Sequence, residues 1–162
     1  MKFSPAFLTL VSGVSAIDIW LNYNSNSCSG SNSIHCANIG PRRCCGVSGQ
    51  GGNRFPSIDI REIPDRWNIE VRGYGGPQCS SRRTTQTSNG RRRICLRSGP
   101  YGGGGYGFVN RQLDGPIEGQ CSAEQCTEVV KPDLVSFTDG VLYNIAELDD
   151  ASLTEMVRVL PS

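Results

Sequence analysis

Eight cysteines, Cys28, Cys36, Cys44, Cys45, Cys79, Cys95, Cys121 and Cys126, constrain this chain more than any other feature. Their number is even, and all of them follow an N-terminal stretch, MKFSPAFLTLVSGVSA, that has the layout of a secretory signal. Lys2 supplies the positive end, Ala6 to Val14 a mostly apolar run, and Val14-Ser15-Ala16 the small residues read at a cleavage site after Ala16. That run is shorter than the ~20 residues a membrane-spanning helix needs. No later stretch is longer or more apolar, so the sequence is expected to be secreted and not transmembrane. Residues 1–16 read as the signal peptide and 17–162 as a single cysteine-rich domain. Thiols exported to an oxidising compartment form disulfides. A metal site would show paired C-x-x-C or H-x₃-H spacing; neither occurs, and the single His35 stands beside Cys36 without a matching partner. No metal or cofactor is expected.

Which cysteines pair is left open by the spacing. Two local bridges suggest themselves: Cys79–Cys95, closing a hairpin, and Cys121–Cys126, pinning the segment SAEQ. Adjacent Cys44 and Cys45 project to opposite sides of an extended chain. They should therefore reach different partners and tie separate layers together.

Between the cysteines the apolar residues alternate in short runs. IDIWLNY (17–23) sets Ile17, Ile19, Leu21 and Tyr23 against Asp18, Trp20 and Asn22. The same pattern recurs around Ile58 and Ile60, through Trp67, Ile69 and Val71, and in RRRICLR (91–97), GYGFVN (105–110), TEVVKPDLVSF (127–137) and GVLYNIA (140–146). Short strands separated by turn residues predict a mainly β fold, a disulfide-stapled antiparallel β-sandwich. One helix is predicted near the C-terminus, in LDDASLTEMVRVL (148–160). Leu153, Met156, Val157 and Leu160 share one face there, Asp149, Asp150 or Ser152 can cap it, and Ser152 with Glu155 fits a capping box.

The stretch SGPYGGGGYGF (98–108) contains G-x-G-x-x-G at Gly102, Gly104 and Gly107. A dinucleotide fingerprint leaves a strand and opens a helix. FVNRQLDGP follows here, so no nucleotide is expected, and the run reads as a glycine hinge between two short strands, with glycines at positive φ. Tyr101 and Tyr106 flank the four glycines. Facing inward they are scaffold; facing outward they form an aromatic rim to a binding face.

Charge is divided along the chain. Residues 17–111 hold thirteen arginines and no lysine against five carboxylates, whereas 112–162 hold two cations against ten carboxylates. Such asymmetry implies either an anionic partner or internal complementarity between the halves. The arginines are densest in CSSRRTTQTSNGRRRIC (79–95). A ladder closed by Cys79–Cys95 would set Arg82 opposite Arg92 and Arg83 opposite Arg91, and like charges directly opposed destabilise a strand pair. The segment then reads as a solvated loop, a dibasic processing site, or an anion-binding site made of Arg82, Arg83, Arg91, Arg92 and Arg93.

The runs CSG, IHCANI, RRCCG, FPSIDIREIPDRWNIEVRGYGGPQC, SNG, ICL, YGGGGYGF and KPDLVSFTDGVLYNIAELD resemble a group of small secreted cysteine-rich fungal proteins of uncharacterised function. A fainter likeness, through W-x₇-C-S-G at Trp20–Gly30, is to βγ-crystallin and killer-toxin-like sandwiches. That family has an aromatic residue where Cys28 stands, and its calcium motif is not present here. The resemblance implies secretion and fold, and supplies no activity.

No G-x-S-x-G or H-E-x-x-H occurs, and the context of His35 supplies neither a nucleophile nor an orienting acid. The expectation is a secreted, non-enzymatic recognition protein of effector or toxin-like type, presenting its arginine-rich loop to an anionic glycan, acidic lipid or protein surface. A small hydrolase acting on cell-wall polymer would need a carboxylate pair along a cleft beside His35. A structural wall or matrix protein would fold its acidic half over the basic face.

Overall fold

The computed structural model describes residues 17–30, 32–47, 54–109 and 128–160. The signal-like residues 1–16 and the cysteines at 121 and 126 lie outside the described residues. The strands, in chain order, are β1 (Ile17–Asn22), β2 (Ser33–Ile39), β3 (Arg43–Gly46), β4 (Ser57–Arg61), β5 (Ile69–Tyr74), β6 (Arg82–Thr87), β7 (Ile94–Leu96), β8 (Gly103–Phe108), β9 (Glu128–Val130), β10 (Leu134–Ser136) and β11 (Leu142–Asn144), followed by helix α1 (Asp150–Val159). They form two sheets, ordered β11-β10-β2-β1-β4-β7 and β6-β5-β8-β3-β9. Every pair is antiparallel except β3 with β9, which run parallel.

The alternation read in the sequence is the inner lining of this sandwich. Ile17, Ile19 and Leu21 of β1, Ile58 and Ile60 of β4, and Ile69 and Val71 of β5 are all fully buried in one continuous core. Helix α1 closes that core at the C-terminal end by burying Leu153 and Val157, with Met156 and Leu160 partly buried against it. Its cap is Asp149, whose carboxylate accepts from the Ser152 backbone N–H at 2.7 Å. The segment 127–137 is not one strand. Lys131-Pro132-Asp133 breaks it, sending β9 to the second sheet and β10 to the first.

The glycine run is neither a hinge nor a hairpin. Gly103 to Phe108 form β8, hydrogen-bonded on one side to β5 and on the other to β3. Its glycines answer to close approach instead of backbone handedness, since none of them has a positive φ. A Cβ on Gly103 would lie 2.5 Å from the Cys45 carbonyl oxygen and 2.7 Å from Cys79 Sγ. A Cβ on Gly104 would meet the Ile58 side chain of the opposite sheet at 3.0 Å.

Three disulfides are formed among the described residues: Cys28–Cys95, Cys36–Cys45 and Cys44–Cys79. The expected Cys79–Cys95 bridge is therefore incorrect. Cys79 lies on a turn under the second sheet, and Cys95 is on β7 of the first, facing away from the core opposite Asp59. The adjacent pair behaves as its alternation requires: Cys45 crosses the core to β2, while Cys44 points the other way to Cys79. Among the described residues no helix is long and apolar enough to cross a membrane.

Two stability predictions follow from this packing. Cys28–Cys95 closes 67 residues and should contribute about 4 kcal/mol through chain entropy. Cys36–Cys45 closes 9 and should contribute about 2.5 kcal/mol. Urea titrations of the paired Cys→Ala variants should rank them in that order. Gly103→Ala, which forces a methyl group against a backbone carbonyl, should lose roughly 1–3 kcal/mol in the same assay.

Candidate anion-binding site

The five arginines of 79–95 are not brought together. Arg82 and Arg83 open β6 in the second sheet, whereas Arg91, Arg92 and Arg93 follow its far end and lead into β7 of the first. The four strand residues Thr84 to Thr87 and the Ser88-Asn89-Gly90 turn separate the two groups, the strand part alone spanning about 13 Å of extended chain. β6 pairs with β5, so Arg82 lies opposite Tyr74 and no arginine faces another across that ladder.

Most of the five have partners. Arg93 chelates Asp59, with Nε 2.8 Å from Oδ1 and Nη2 2.7 Å from Oδ2, and also donates to the Cys28 carbonyl at 2.8 Å. The Asp59 bond holds the Arg93 guanidinium above its ordinary pKa. Arg92 lies 3.3 Å from Asp65, and Arg82 lies 3.9 Å from Glu70. Arg91 donates to the carbonyls of Thr87 at 2.9 Å and Ser88 at 3.1 Å. Arg83 donates to the Pro100 carbonyl at 3.3 Å. Neither Arg83 nor Arg91 meets a carboxylate among the described residues.

A different grouping does form, around the loop that joins β7 to β8. Phe55 and Tyr101 exchange backbone hydrogen bonds of 3.1 and 2.8 Å, and Gly99 N–H donates to the Pro56 carbonyl at 2.9 Å. The loop after β1 is tied to the same place, since Ser57 Oγ donates to the Ser25 carbonyl at 2.6 Å. Between these segments runs an open groove of about 630 Å³ lined by Asn24, Ser25, Asn26, Arg54, Pro56 and Pro100. Arg54 is held by α1: its Nη1 donates to the carbonyls of Arg158 at 2.9 Å and Val157 at 3.4 Å, at the negative end of the helix dipole. Arg83 bonds the back of the same loop, and exposed Arg97 leads into it. Arg54, Arg83 and Arg97 have no ion pair among the described residues. Arg54 and Arg97 escape a sequence reading because each is isolated along the chain. The Phe55–Tyr101 bridge and the Gly99–Pro56 bond draw their segments together.

Tyr101 and Tyr106 do not form an aromatic rim. They are 0% and 1% exposed. Tyr101 OH donates to the Arg97 carbonyl and lies 3.0 Å from Thr84 Oγ1, which fixes the loop from inside. Tyr106 OH donates to the Ile39 carbonyl at 3.0 Å, and burial pushes its phenol up to about 12. Both rings are core.

His35 is only 2% exposed. It lies on the outward face of the first sheet, beside Ser33 and Ser136. Its Nε2 is 2.8 Å from Ser33 Oγ and 3.2 Å from Ser136 Oγ. Trp20 stacks on its ring at 3.5 Å, and the Arg61 guanidinium covers Trp20 at 3.6 Å. Burial, with Arg61 adding repulsion, lowers the imidazole to about 4. No carboxylate hydrogen-bonds His35 among the described residues, and none lines the groove.

The ARB_05566_N N-terminal domain family matches residues 18–133. The chain belongs to that family. No curated protein and no solved structure matches it. The matched span opens in β1 and ends one residue before β10. It therefore contains the groove loops 23–26, 54–56 and 97–101 but not α1, so the helix that anchors Arg54 is supplied from outside the family domain.

The His35 geometry gives a pH dependence with a definite sign. Folding lowers the imidazole from 6.5 to about 4, so the unfolded chain takes up the proton first as pH falls. The fold should lose about 3 kcal/mol from His35 as pH drops through that window, and no more below it. In urea titrations from pH 7.5 to 4, the stability gap between wild type and His35→Gln should shrink by that amount. A gap that stays constant contradicts the assignment.

Proposed function

We propose that the protein is an extracellular, non-enzymatic recognition protein of effector or toxin-like type, which holds an anionic partner against Arg54, Arg83 and Arg97. The observation that carries this reading is the placement of these three arginines around one internally braced loop: Arg54 and Arg83 are held by carbonyls, Arg97 stands exposed where the loop begins, and none of the three has a carboxylate partner among the described residues. A carbonyl orients a guanidinium without neutralising its charge, so planar donors remain available for an oxyanion. Export is supported by the signal-like N-terminus, the three disulfides and the resemblance to small secreted fungal proteins.

A structural protein with its acidic half folded over the basic half is favoured less. Arg43–Glu128, at 2.9 Å, does join the halves. Among the described residues, the other arginine ion pairs of residues 17–111 use carboxylates of that same half: Asp59, Asp65 and Glu70. Among the described residues, then, neutralisation is mostly local, and it leaves the 97–101 loop out.

Retention on immobilised heparin, a sulfated glycan used as a polyanion probe, tests the reading. Wild type should bind at low salt and elute well before 1 M, where the screening length falls to about 3 Å. Arg83→Ala/Arg97→Ala should weaken binding on the order of tenfold, whereas Arg92→Ala, which removes a paired arginine, should change it little. Retention that ignores the double substitution, or that survives high salt, contradicts the proposal.

A further inference from the structure

The geometry points to the groove between the 23–26, 54–56 and 97–101 segments as a subsite for a carboxylated sugar, a hexuronate residue of a glycan chain, with Arg54 chelating the carboxylate. This rests on the recognition reading above and names the ligand class for part of that site.

Arg54 is the first reason. A guanidinium offers five N–H donors in a rigid plane. Here Nη1 is turned onto the α1 carbonyls, which fixes the plane and leaves the Nε–Nη2 edge. That edge is a two-donor fork matched to the two oxygens of one carboxylate. Lysine could supply the charge but not the fork. Among the described residues no second cation lines the groove, so the acid group it takes is singly charged and planar.

The rest of the lining suits a sugar ring. Asn24 and Asn26 are exposed, and each side-chain amide carries a donor and an acceptor that can bridge neighbouring hydroxyls. The Ser25 hydroxyl belongs to a chain of serines, 3.1 Å from Ser27 Oγ, with Ser27 Oγ 2.6 Å from Ser29 Oγ. Pro56 and Pro100 add flat apolar surface without backbone N–H groups, of the kind that packs against the C–H face of a pyranose. The volume, about 630 Å³, lies within the roughly 300–1,000 Å³ usual for small-ligand sites. The groove is open, so the chain of a polymer can continue past it toward Arg83 and Arg97.

The walls are preformed. Cys28–Cys95 and the Ser57–Ser25 bond tie down the 23–30 loop. The Phe55–Tyr101 bridge and the Gly99–Pro56 bond lock the other two segments together. Little ordering is left for the ligand to impose, which favours binding of a small charged ring.

Titration of ¹⁵N-labelled full chain with trigalacturonate, followed by NMR, tests the inference, with neutral galactotriose and sodium sulfate as comparison probes. Trigalacturonate should shift the Asn24, Ser25 and Asn26 amides and the Arg54 Nε–H. Galactotriose and sulfate should bind at least tenfold more weakly. Arg54→Lys keeps the charge and should lose about tenfold in affinity. Asn24→Ala/Asn26→Ala leaves the Arg54–helix contact intact and should also weaken binding, so a loosened α1 cannot account for both losses. Equal binding of the neutral trisaccharide, shifts confined to other surfaces, or an unaltered Arg54→Lys affinity overturns the subsite. If heparin retention still depends on Arg83 and Arg97 while the groove stays silent, the subsite falls and the recognition reading stands. If neither is seen, both fall.

Discussion

Two neighbouring strands of the second sheet, β3 and β8, set the terms for the rest of the sandwich. β3 carries Cys44 and Cys45, and β8 places Gly105 and Gly104 directly opposite them. Cystine is bulky and points both ways from this strand, inward to Cys36 and outward to Cys79. The facing strand can run alongside only if it has almost no side chains there. Gly103 leaves room for the Cys45 carbonyl and Cys79 Sγ, and Gly104 lets Ile58 of the other sheet come down onto the backbone. The double cysteine and the glycine run are thus one packing solution. Tyr106, two residues along on the same inward face, is buried in the core beside it.

That solution explains which features could be read from sequence. Alternation located β1, β4 and β5, because a buried face imposes period two on apolar residues wherever it occurs. The opposite projection of Cys44 and Cys45 is the same rule applied to two residues. The α1 face and its Asp149 cap are equally local. β2 and β6 were harder. His35 and Ser33 of β2 lie on an outer face that is polar and yet buried, and β6 reads RRTTQT with no buried residue. Disulfide partners were illegible because chain separation says nothing about which layer a cysteine occupies. Cys79 and Cys95 are close in sequence, but Cys79 lies on a turn under the second sheet and Cys95 on a strand of the first. The glycines misled for a related reason: the usual cause of a glycine run is backbone handedness, and here it is the size of a neighbour on another strand.

The outer face of the first sheet shows a second constraint. Asn22, Ser33, His35, Ser57, Asp59 and Ser136 are all buried there, and the loop strapped on by Cys28–Cys95 reaches Ser57 through Ser25 and Asp59 through Arg93. Burying a charge in such a place is tolerable only with dedicated partners. Asp59 has two, Arg61 at 2.5 Å and Arg93 at 2.7 Å. Arg61 in turn lies over Trp20, and Trp20 over His35. A cation so close to the imidazole acts with burial to keep it neutral. The neutral ring then serves the two serine hydroxyls, and a relay of contacts crosses the polar face from Arg93 to Ser136. The amide oxygens of Asn22 and Asn32 are left without a donor among the described residues.

This relay also decides where the candidate site falls. The arginine count of the N-terminal half suggests a broad basic surface, but counting ignores engagement. Arg61 and Arg93 are committed to Asp59, Arg72 and Arg82 to Glu70, and Arg92 to Asp65. Those carboxylates belong to strands β4 and β5 and to the turn between them, and the arginines that neutralise them lie beside that region. At the other end of the sandwich, where the 97–101 loop meets the 54–56 segment, the neighbours are carbonyls. A carbonyl holds a guanidinium in place while leaving its full charge. Arg54 and Arg83 are therefore both oriented and, among the described residues, unpaired with any carboxylate, and those two properties together separate a binding group from a structural one.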